Sequence, residues 1–78
     1  MNVGEGEVAL QLCAALSRFW YIRGYYREGR EWSARALAAA PQASPATQAA
    51  VLEGAGSLAD MQRDPVDARR QLDASVAL

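Results

Sequence analysis

The sequence predicts an all-α protein made of two antiparallel helical hairpins. Apolar residues recur at three-to-four spacing along the chain, as on one face of a helix. A Ser-Pro and an Asp-Pro pair in the second half are typical helix starts, and small residues recur at equal intervals in both halves. We expect a first hairpin over residues 7–41, a second over residues 42–78, and a disordered N-terminus over residues 1–6.

The first two helices are predicted on either side of Gly24. A glycine suits the position just past a helix C-terminus, because it adopts positive φ without a steric penalty. The first helix therefore runs from about Glu7 to this turn, and its predicted buried face contains Val8, Leu12, Cys13, Leu16, Phe19, Trp20 and Tyr21. The second runs from about Tyr25 to Ala39, with the inward residues Tyr26, Gly29, Trp32, Ala36 and Leu37.

The last two helices are predicted from their start signals. Ser44-Pro45 and Asp64-Pro65 are each typical of an N-cap followed by proline at the first helical position. We expect a third helix from Pro45 to Gln62 and a fourth from Pro65 to Ala77. Glycine inside a helix costs about 1 kcal/mol relative to alanine, so Gly54 and Gly56 are expected where helices approach closely.

The two halves of the chain align when Gly29 is placed on Ala68, and we call this superposition the repeat alignment. Small residues then coincide, with the same intervals of twelve (29 − 17) and seven (36 − 29) in each half: Ser17, Gly29 and Ala36, then Gly56, Ala68 and Ser75. Equal intervals predict equivalent contacts between paired helices and therefore an internal duplication.

The segments LQLCAALSRFWYIRGYYREGREWSARALAAAP and AAVLEGAGSLADMQRDPVDARRQLDASVAL resemble a pair of tetratricopeptide (TPR) repeats. They are similar, more closely, to the TPR-like region of bacterial transcriptional regulators of the LuxR-type and ATPase-containing kinds. The resemblance implies a fragment of a right-handed α-solenoid whose function is protein binding. Three residues depart from the repeat pattern. Arg63 occupies a position where the pattern usually has a turn glycine, Pro65 one that is usually aromatic, and Ser33 one that is usually leucine or aromatic.

The resemblance also implies a partner-binding site. Arrays of this kind bind peptides on a concave face lined by the first helix of each pair, which here would present Gln11, Arg18, Tyr21, Ile22, Glu53, Ser57, Asp60 and Met61. Residues at such three-to-four steps can share one face of a helix. The sequence leaves open the alternative that these residues only face solvent or form ion pairs within the array.

All six aromatic residues lie between Arg18 and Trp32. This cluster fits either a ligand cage or the core of the first hairpin, and the helical spacing favours the core because aromatic side chains bury large areas. We expect Trp20 and Trp32 to meet across the Gly24 turn, with Tyr21 and Tyr25 more exposed.

Composition and motifs argue against an enzyme. The 78 residues include no histidine, no phosphate-binding Gly-Lys loop and no metal-ligand cluster, so no cofactor and no metal are expected. The lone Cys13 is predicted to be a buried, inert thiol. A net charge of −1 gives no basic footprint for nucleic acid, and we expect no direct nucleic-acid contact.

Two functions remain open. No apolar run approaches the ~20 residues of a membrane span, so we expect no membrane partner and a cytoplasmic location. In the first function, the chain docks a protein or peptide partner, or neighbouring domains of a parent regulator. In the second, it is a stand-alone four-helix protein that self-associates as a homodimer through Leu72, Val76 and Leu78.

Overall fold

Four α-helices account for most of the chain. A computed structural model describes residues 3–78, and within them the helices are α1 (Val3–Arg23), α2 (Tyr26–Ala39), α3 (Pro45–Met61) and α4 (Pro65–Ala77). No strand occurs in this range. The predicted all-α class is confirmed, and α2, α3 and α4 begin and end within one residue of their predicted positions.

Helix α1 begins earlier than the sequence predicts. It starts at Val3, so the prediction of disorder over residues 1–6 is wrong for residues 3–6, while residues 1 and 2 lie outside the described part. The first part of α1 is anchored at Glu7, whose carboxylate accepts hydrogen bonds from the backbone N–H of Ser44 at 2.8 Å and from the hydroxyls of Ser44 and Thr47. These bonds tie the start of α1 to the N-terminus of α3, where the helix dipole favours a negative charge.

Side-chain caps fix the starts of α3 and α4. The Ser44 hydroxyl accepts a hydrogen bond from the N–H of Thr47 at 3.3 Å, and the Asp64 carboxylate accepts one from the N–H of Asp67 at 3.2 Å. A proline follows each cap at the first helical position. Both predicted start signals are therefore confirmed.

Two turns of the same construction end α1 and α3. Gly24 has φ 79° and Arg63 has φ 58°, and the repeat alignment places one on the other. After each, the next N–H donates to the carbonyl five residues earlier: Tyr25 to Trp20 at 2.9 Å, and Asp64 to Ala59 at 3.0 Å. This is the Schellman motif, which takes up the free carbonyls at a helix end. Arg63 thus makes the turn in the left-handed conformation that glycine adopts at lower cost.

Helix α3 occupies the centre of the fold. It packs against α1, α2 and α4, whereas α1 packs only against α2 and α3. The side chains of Leu10, Val51 and Leu58 are fully buried where these helices meet. Around them lie the other members of the core cluster, Cys13, Trp20, Ala40 and Ala43.

The predicted buried face of the first hairpin is only partly right. Cys13 and Trp20 are buried as expected. The remaining large apolar residues include five that are 44–63% exposed: Val8, Leu12, Phe19, Tyr21 and, on α2, Trp32. Because α2 and α3 together cover only part of α1, the apolar side chains on its remaining surface stay in contact with solvent.

Candidate functional site

An open groove lies between α1 and α3. Its volume is about 260 Å³, and it is lined by Ser17, Arg18 and Tyr21 from α1 and by Gly54 and Ser57 from α3. The helices come from different halves of the chain, so the groove exists only when both halves are folded against each other.

Close approach of the two helices shapes the floor of this groove. A Cβ atom placed on Gly54 would lie 2.8 Å from Ser17 Cβ and in contact with Ser17 Oγ, which is closer than real Cβ atoms come. The hydroxyl of Ser17 in turn donates to the carbonyl of Cys13 at 3.0 Å, so it is held along its own helix. The expectation that Gly54 marks a close helix contact is confirmed.

Three of the eight predicted partner-binding residues line the groove. These are Arg18, Tyr21 and Ser57, and Tyr21 is 44% exposed. Ile22 and Met61, 64% and 41% exposed, stand in the last turns of α1 and α3 and extend the same side with apolar surface.

The other predicted residues do not line the groove. Gln11 donates its amide to Glu7 at 3.2 Å, and Asp60 is exposed without lining the cavity. The carboxylate of Glu53 accepts a long hydrogen bond of 3.5 Å from the Ser75 hydroxyl of α4, so it is directed toward α4. The groove therefore presents a cation and a phenol in its wall, and less negative charge than the sequence predicted.

Two residues of the groove, Ser17 and Gly54, were not among the predicted site residues. Both are small residues expected at helix contacts, which is the signal that could have found them. A pair of small residues between two helices leaves room above them, and that room is the floor of this groove.

A second cleft, of about 330 Å³, lies between α2 and α4 over α3. Three of its charged groups form one cluster: Arg30 bonds Asp67 at 2.7 Å and also Asp64 at 3.0 Å, Arg70 bonds Asp67, and Arg30 donates to the Gln62 amide oxygen at 2.7 Å. Because each partner already has a counter-charge, we interpret this cluster as a structural link between α2 and α4.

Burial and hydrogen bonding oppose each other at Asp67. Burial alone would raise the pKa of its carboxyl, but the hydrogen bonds from Arg30 and Arg70 outweigh burial and lower that pKa below the ordinary value. The carboxylate is therefore ionised at neutral pH, as a structural ion pair requires.

An apolar cavity of about 310 Å³ opens on the outer side of α1 and α2. Leu12, Leu16, Trp20 and Trp32 line it together with Cys13. Burial raises the pKa of the Cys13 thiol, whose Sγ lies 3.9 Å from the Trp32 carbonyl oxygen. The predicted meeting of Trp20 and Trp32 occurs at this cavity, although Trp32 is 56% exposed and stacks against Arg35.

Among residues 3–78 no group of three or more histidine, cysteine or acidic side chains could hold a metal ion. In the same range no helix combines the length and apolar character needed to cross a membrane.

Comparison of the chain with models of protein families, with curated proteins and with solved structures finds no match. The resemblance to TPR arrays therefore depends on the residues and on the contacts described above, and it is taken up below as a proposal.

Proposed function

We propose that this chain is a non-catalytic, TPR-like interaction module of two stacked helical hairpins. In it, α1 with α2 and α3 with α4 form the two units, and the groove between α1 and α3 docks a segment of a partner protein. The observation that carries the proposal is the groove itself, which residues of both units line together.

The repeated turn geometry supports the division into two units. The positive-φ residues Gly24 and Arg63, and the hydrogen bonds across them, coincide in the same repeat alignment that superposes the small residues. Contacts within each unit also have the order of an antiparallel hairpin, in which later residues of one helix contact earlier residues of the next. In the first unit Trp20 lies against Gly29 and Cys13 against Trp32, while in the second Gly56 lies against Ala68 and Ser75 bonds Ala49.

The groove chemistry indicates the class of ligand. An exposed arginine favours an acidic side chain, with which it forms charge-assisted, often bidentate hydrogen bonds. Tyrosine and arginine are also the residue types that most often dominate binding energy at protein interfaces. We expect Arg18 to bind an acidic residue of the partner segment, and Tyr21 with Ile22 to cover an apolar residue beside it.

Peptide display against the 78-residue chain tests this function. We expect selected peptides to carry an acidic residue next to an apolar one, and to lose affinity by about tenfold to a hundredfold in the double variant Arg18→Glu/Tyr21→Ala. Binding measured by fluorescence anisotropy, with circular dichroism on the same samples, separates lost affinity from lost helicity.

A matched control uses the same two changes outside the groove. Arg35 and Tyr25 do not line the groove, and both are exposed. Arg35→Glu/Tyr25→Ala should therefore leave peptide affinity unchanged. Peptides that bind both double variants as well as the original chain would contradict a docking site between α1 and α3.

The setting of the module follows the resemblance. As part of a bacterial transcriptional regulator in the cytoplasm, the two units would relay a signal between neighbouring domains or to a protein partner. The alternative function, a stand-alone four-helix protein that self-associates, is favoured by one observation: Leu72, Val76 and Leu78 are 45%, 86% and 51% exposed near the end of α4.

A further inference from the structure

Large apolar side chains are exposed at both ends of the helical stack. On the outer side of the first unit these are Leu12, Phe19 and Trp32, with the half-buried Leu16 beside them, and we call this set the N face. On the outer side of the second unit, Leu72 and Val76 lie with Arg69, and we call these three the C face. Apolar patches of this kind mark interaction surfaces in proteins.

The N face repeats the surface by which the second unit packs on the first. Val51, Ala55 and Leu58 of α3 are 0%, 4% and 0% exposed in that internal contact. Their equivalents in the repeat alignment are Leu12, Leu16 and Phe19, apolar in every case. Leu12 and Phe19 are 59% and 46% exposed, because no helical pair lies against them.

The C face repeats the other side of the same internal contact. On α2, Ser33 is fully buried and Leu37 packs against the core cluster that contains Val51 and Leu58. Their equivalents in the repeat alignment are Leu72 and Val76. The exposures of 45% and 86% at these two residues show that the equivalent contact is not made.

Charges extend this equivalence. In the internal contact Arg30 of the first unit bonds Asp67 of the second at 2.7 Å. The repeat alignment places Arg30 on Arg69 and Glu28 on Asp67. In the described part of the chain Arg69 pairs only with its exposed helix neighbour Asp73, and Glu28 makes no ion pair. Arg69 on the C face would therefore meet Glu28 of a first unit packed against it.

We propose that copies of this chain stack head to tail, the C face of one on the N face of the next. Val76 and Leu72 of one copy then cover Leu12 and Phe19 of the next, as Leu37 does with Val51 and Leu58 inside the chain. Arg69 of one copy bonds Glu28 of the next. The inference rests on the repeat geometry proposed above but not on the groove, which stays open in such a stack.

The occupant is a second copy because the chain itself carries both complementary halves of the contact. A contact between two different faces leaves one of each face free, so the stack grows with concentration. A two-fold dimer through Leu72, Val76 and Leu78 would instead use the C face twice and stop at two copies.

Sedimentation velocity across micromolar to millimolar concentrations tests the stack with two single variants. Val76→Asp removes the C face, and Leu12→Asp removes the N face. We expect the original chain to associate increasingly with concentration, and each variant alone to remain monomeric. An equimolar mixture should form a heterodimer and nothing larger, because only the intact N face of one variant and the intact C face of the other remain.

Ile22→Asp is the matched control. Ile22 is 64% exposed and, like Val76, stands one residue before the end of its helix. Its equivalent in the repeat alignment, Met61, stays 41% exposed although the first unit packs against the second. This position therefore lies outside the stacking contact. This variant should associate like the original chain.

Charge reversal tests the orientation of the stack. Arg69→Glu and Glu28→Arg should each weaken association, and a mixture of the two variants should recover it in an alternating stack, because both contacts between unlike copies pair a cation with an acid. Circular dichroism of every variant confirms that the helices are intact.

Three results would overturn the proposal: an original chain that stays monomeric at millimolar concentration, a Leu12→Asp variant that still dimerises, or variant mixtures that stay monomeric. None of these results affects peptide binding in the groove. If the groove variants bind peptides normally while stacking occurs, it is the docking function that fails.

Discussion

Arg63 holds a backbone conformation that is unfavourable for any residue with a Cβ atom. Its φ of 58° closes the turn after α3 just as Gly24, with φ 79°, closes the turn after α1. The two turns share the bond from the next N–H to the carbonyl five residues earlier, and the turn at Arg63 adds a bond from its own N–H to the Asp60 carbonyl at 3.0 Å.

Exchanges at these two turns should have opposite effects. Arg63→Gly removes the left-handed strain and should raise the free energy of unfolding by about 0.5–1 kcal/mol, after the entropy that glycine adds to the unfolded chain is subtracted. Gly24→Ala should lower it by about 1 kcal/mol, although no atom lies within 4 Å of the added Cβ. Urea unfolding followed by circular dichroism measures both, and changes of the same sign would contradict equivalent turns.

Ser33 is fully buried, and its hydroxyl has no hydrogen-bond partner in the described part of the chain. A buried polar group without a partner costs roughly 1–3 kcal/mol, and alanine is also the better helix former. Ser33→Ala should therefore raise the free energy of unfolding by about 1 kcal/mol. A loss of stability in the same urea assay would mean that the hydroxyl has a partner after all.

Asp67 makes stability depend on pH. Hydrogen bonds from Arg30 and Arg70 lower its pKa in spite of its burial, from an ordinary value of 3.8. A lowered folded-state pKa gives stability that is fully present above the unfolded value and is lost as the pH falls through the folded one. Glu7, whose pKa the Ser44 N–H and then the Thr47 hydroxyl lower, acts in the same direction.

The variant Asp67→Asn should lose roughly 1–3 kcal/mol at neutral pH and much less once the pH lies below the lowered folded-state pKa of Asp67, because the carboxyl is then protonated in both states. The control Asp73→Asn removes only the exposed bond to Arg69 and should change stability by less than about 0.5 kcal/mol. Equal losses for Asp67→Asn at both pH values would contradict a contribution of the ion pairs of Asp67 to stability.

At the scale of single elements, α3 is the helix on which the fold depends, because it contacts each of the other three. Its two interior glycines have different surroundings. A Cβ at Gly54 would meet Ser17 Cβ at 2.8 Å, whereas a Cβ at Gly56 would meet its nearest atoms, in Ala68, Gln71 and Leu72, at 3.4 Å.

The same substitution should therefore have different results at the two positions. Gly54→Ala gains helix propensity but forces α1 and α3 apart, for a net loss of about 1 kcal/mol. Gly56→Ala gains up to about 1 kcal/mol, because its neighbours need move little. Thermal unfolding of both variants checks the order, and a stabilised Gly54→Ala would contradict the close contact of α1 with α3.

The elements that the sequence predicted well are those with local causes. Ser44, Asp64 and Gly24 determine helix ends through bonds or dihedral angles within a few residues of themselves, and their predictions are confirmed. The anchor of α1 at Glu7 was missed because its bond from Ser44 joins positions 37 residues apart.

The exposed aromatic residues were missed for a related reason. Three-to-four spacing identifies the apolar sides of a helix but not which of them a neighbour covers. Trp20 and Trp32 fit the pattern equally well, yet only Trp20 lies where Gly29 packs against it. In the candidate site, the pattern correctly identified Arg18, Tyr21 and Ser57 as groove residues. It could not show that the Glu53 side chain is directed toward α4, because that depends on the bond from Ser75, 22 residues away in the sequence.

At the scale of the whole molecule, the two proposals use different surfaces. The groove is formed by the sides of α1 and α3 that face away from α2 and α4. Stacking takes place through the N face and the C face at the two ends of the molecule. A stack of copies would place successive grooves side by side, so that a long partner segment would contact several copies at once and gain affinity by multivalency.

Amide chemical-shift mapping of the labelled chain during titration with a selected peptide tests the docking site most directly. We expect the largest shifts at Ser17, Arg18, Tyr21, Gly54 and Ser57, with those of Leu72 and Val76 unchanged. Shifts confined to the two end faces, or to the cleft around Arg30 and Asp67, would contradict a partner-binding groove between α1 and α3.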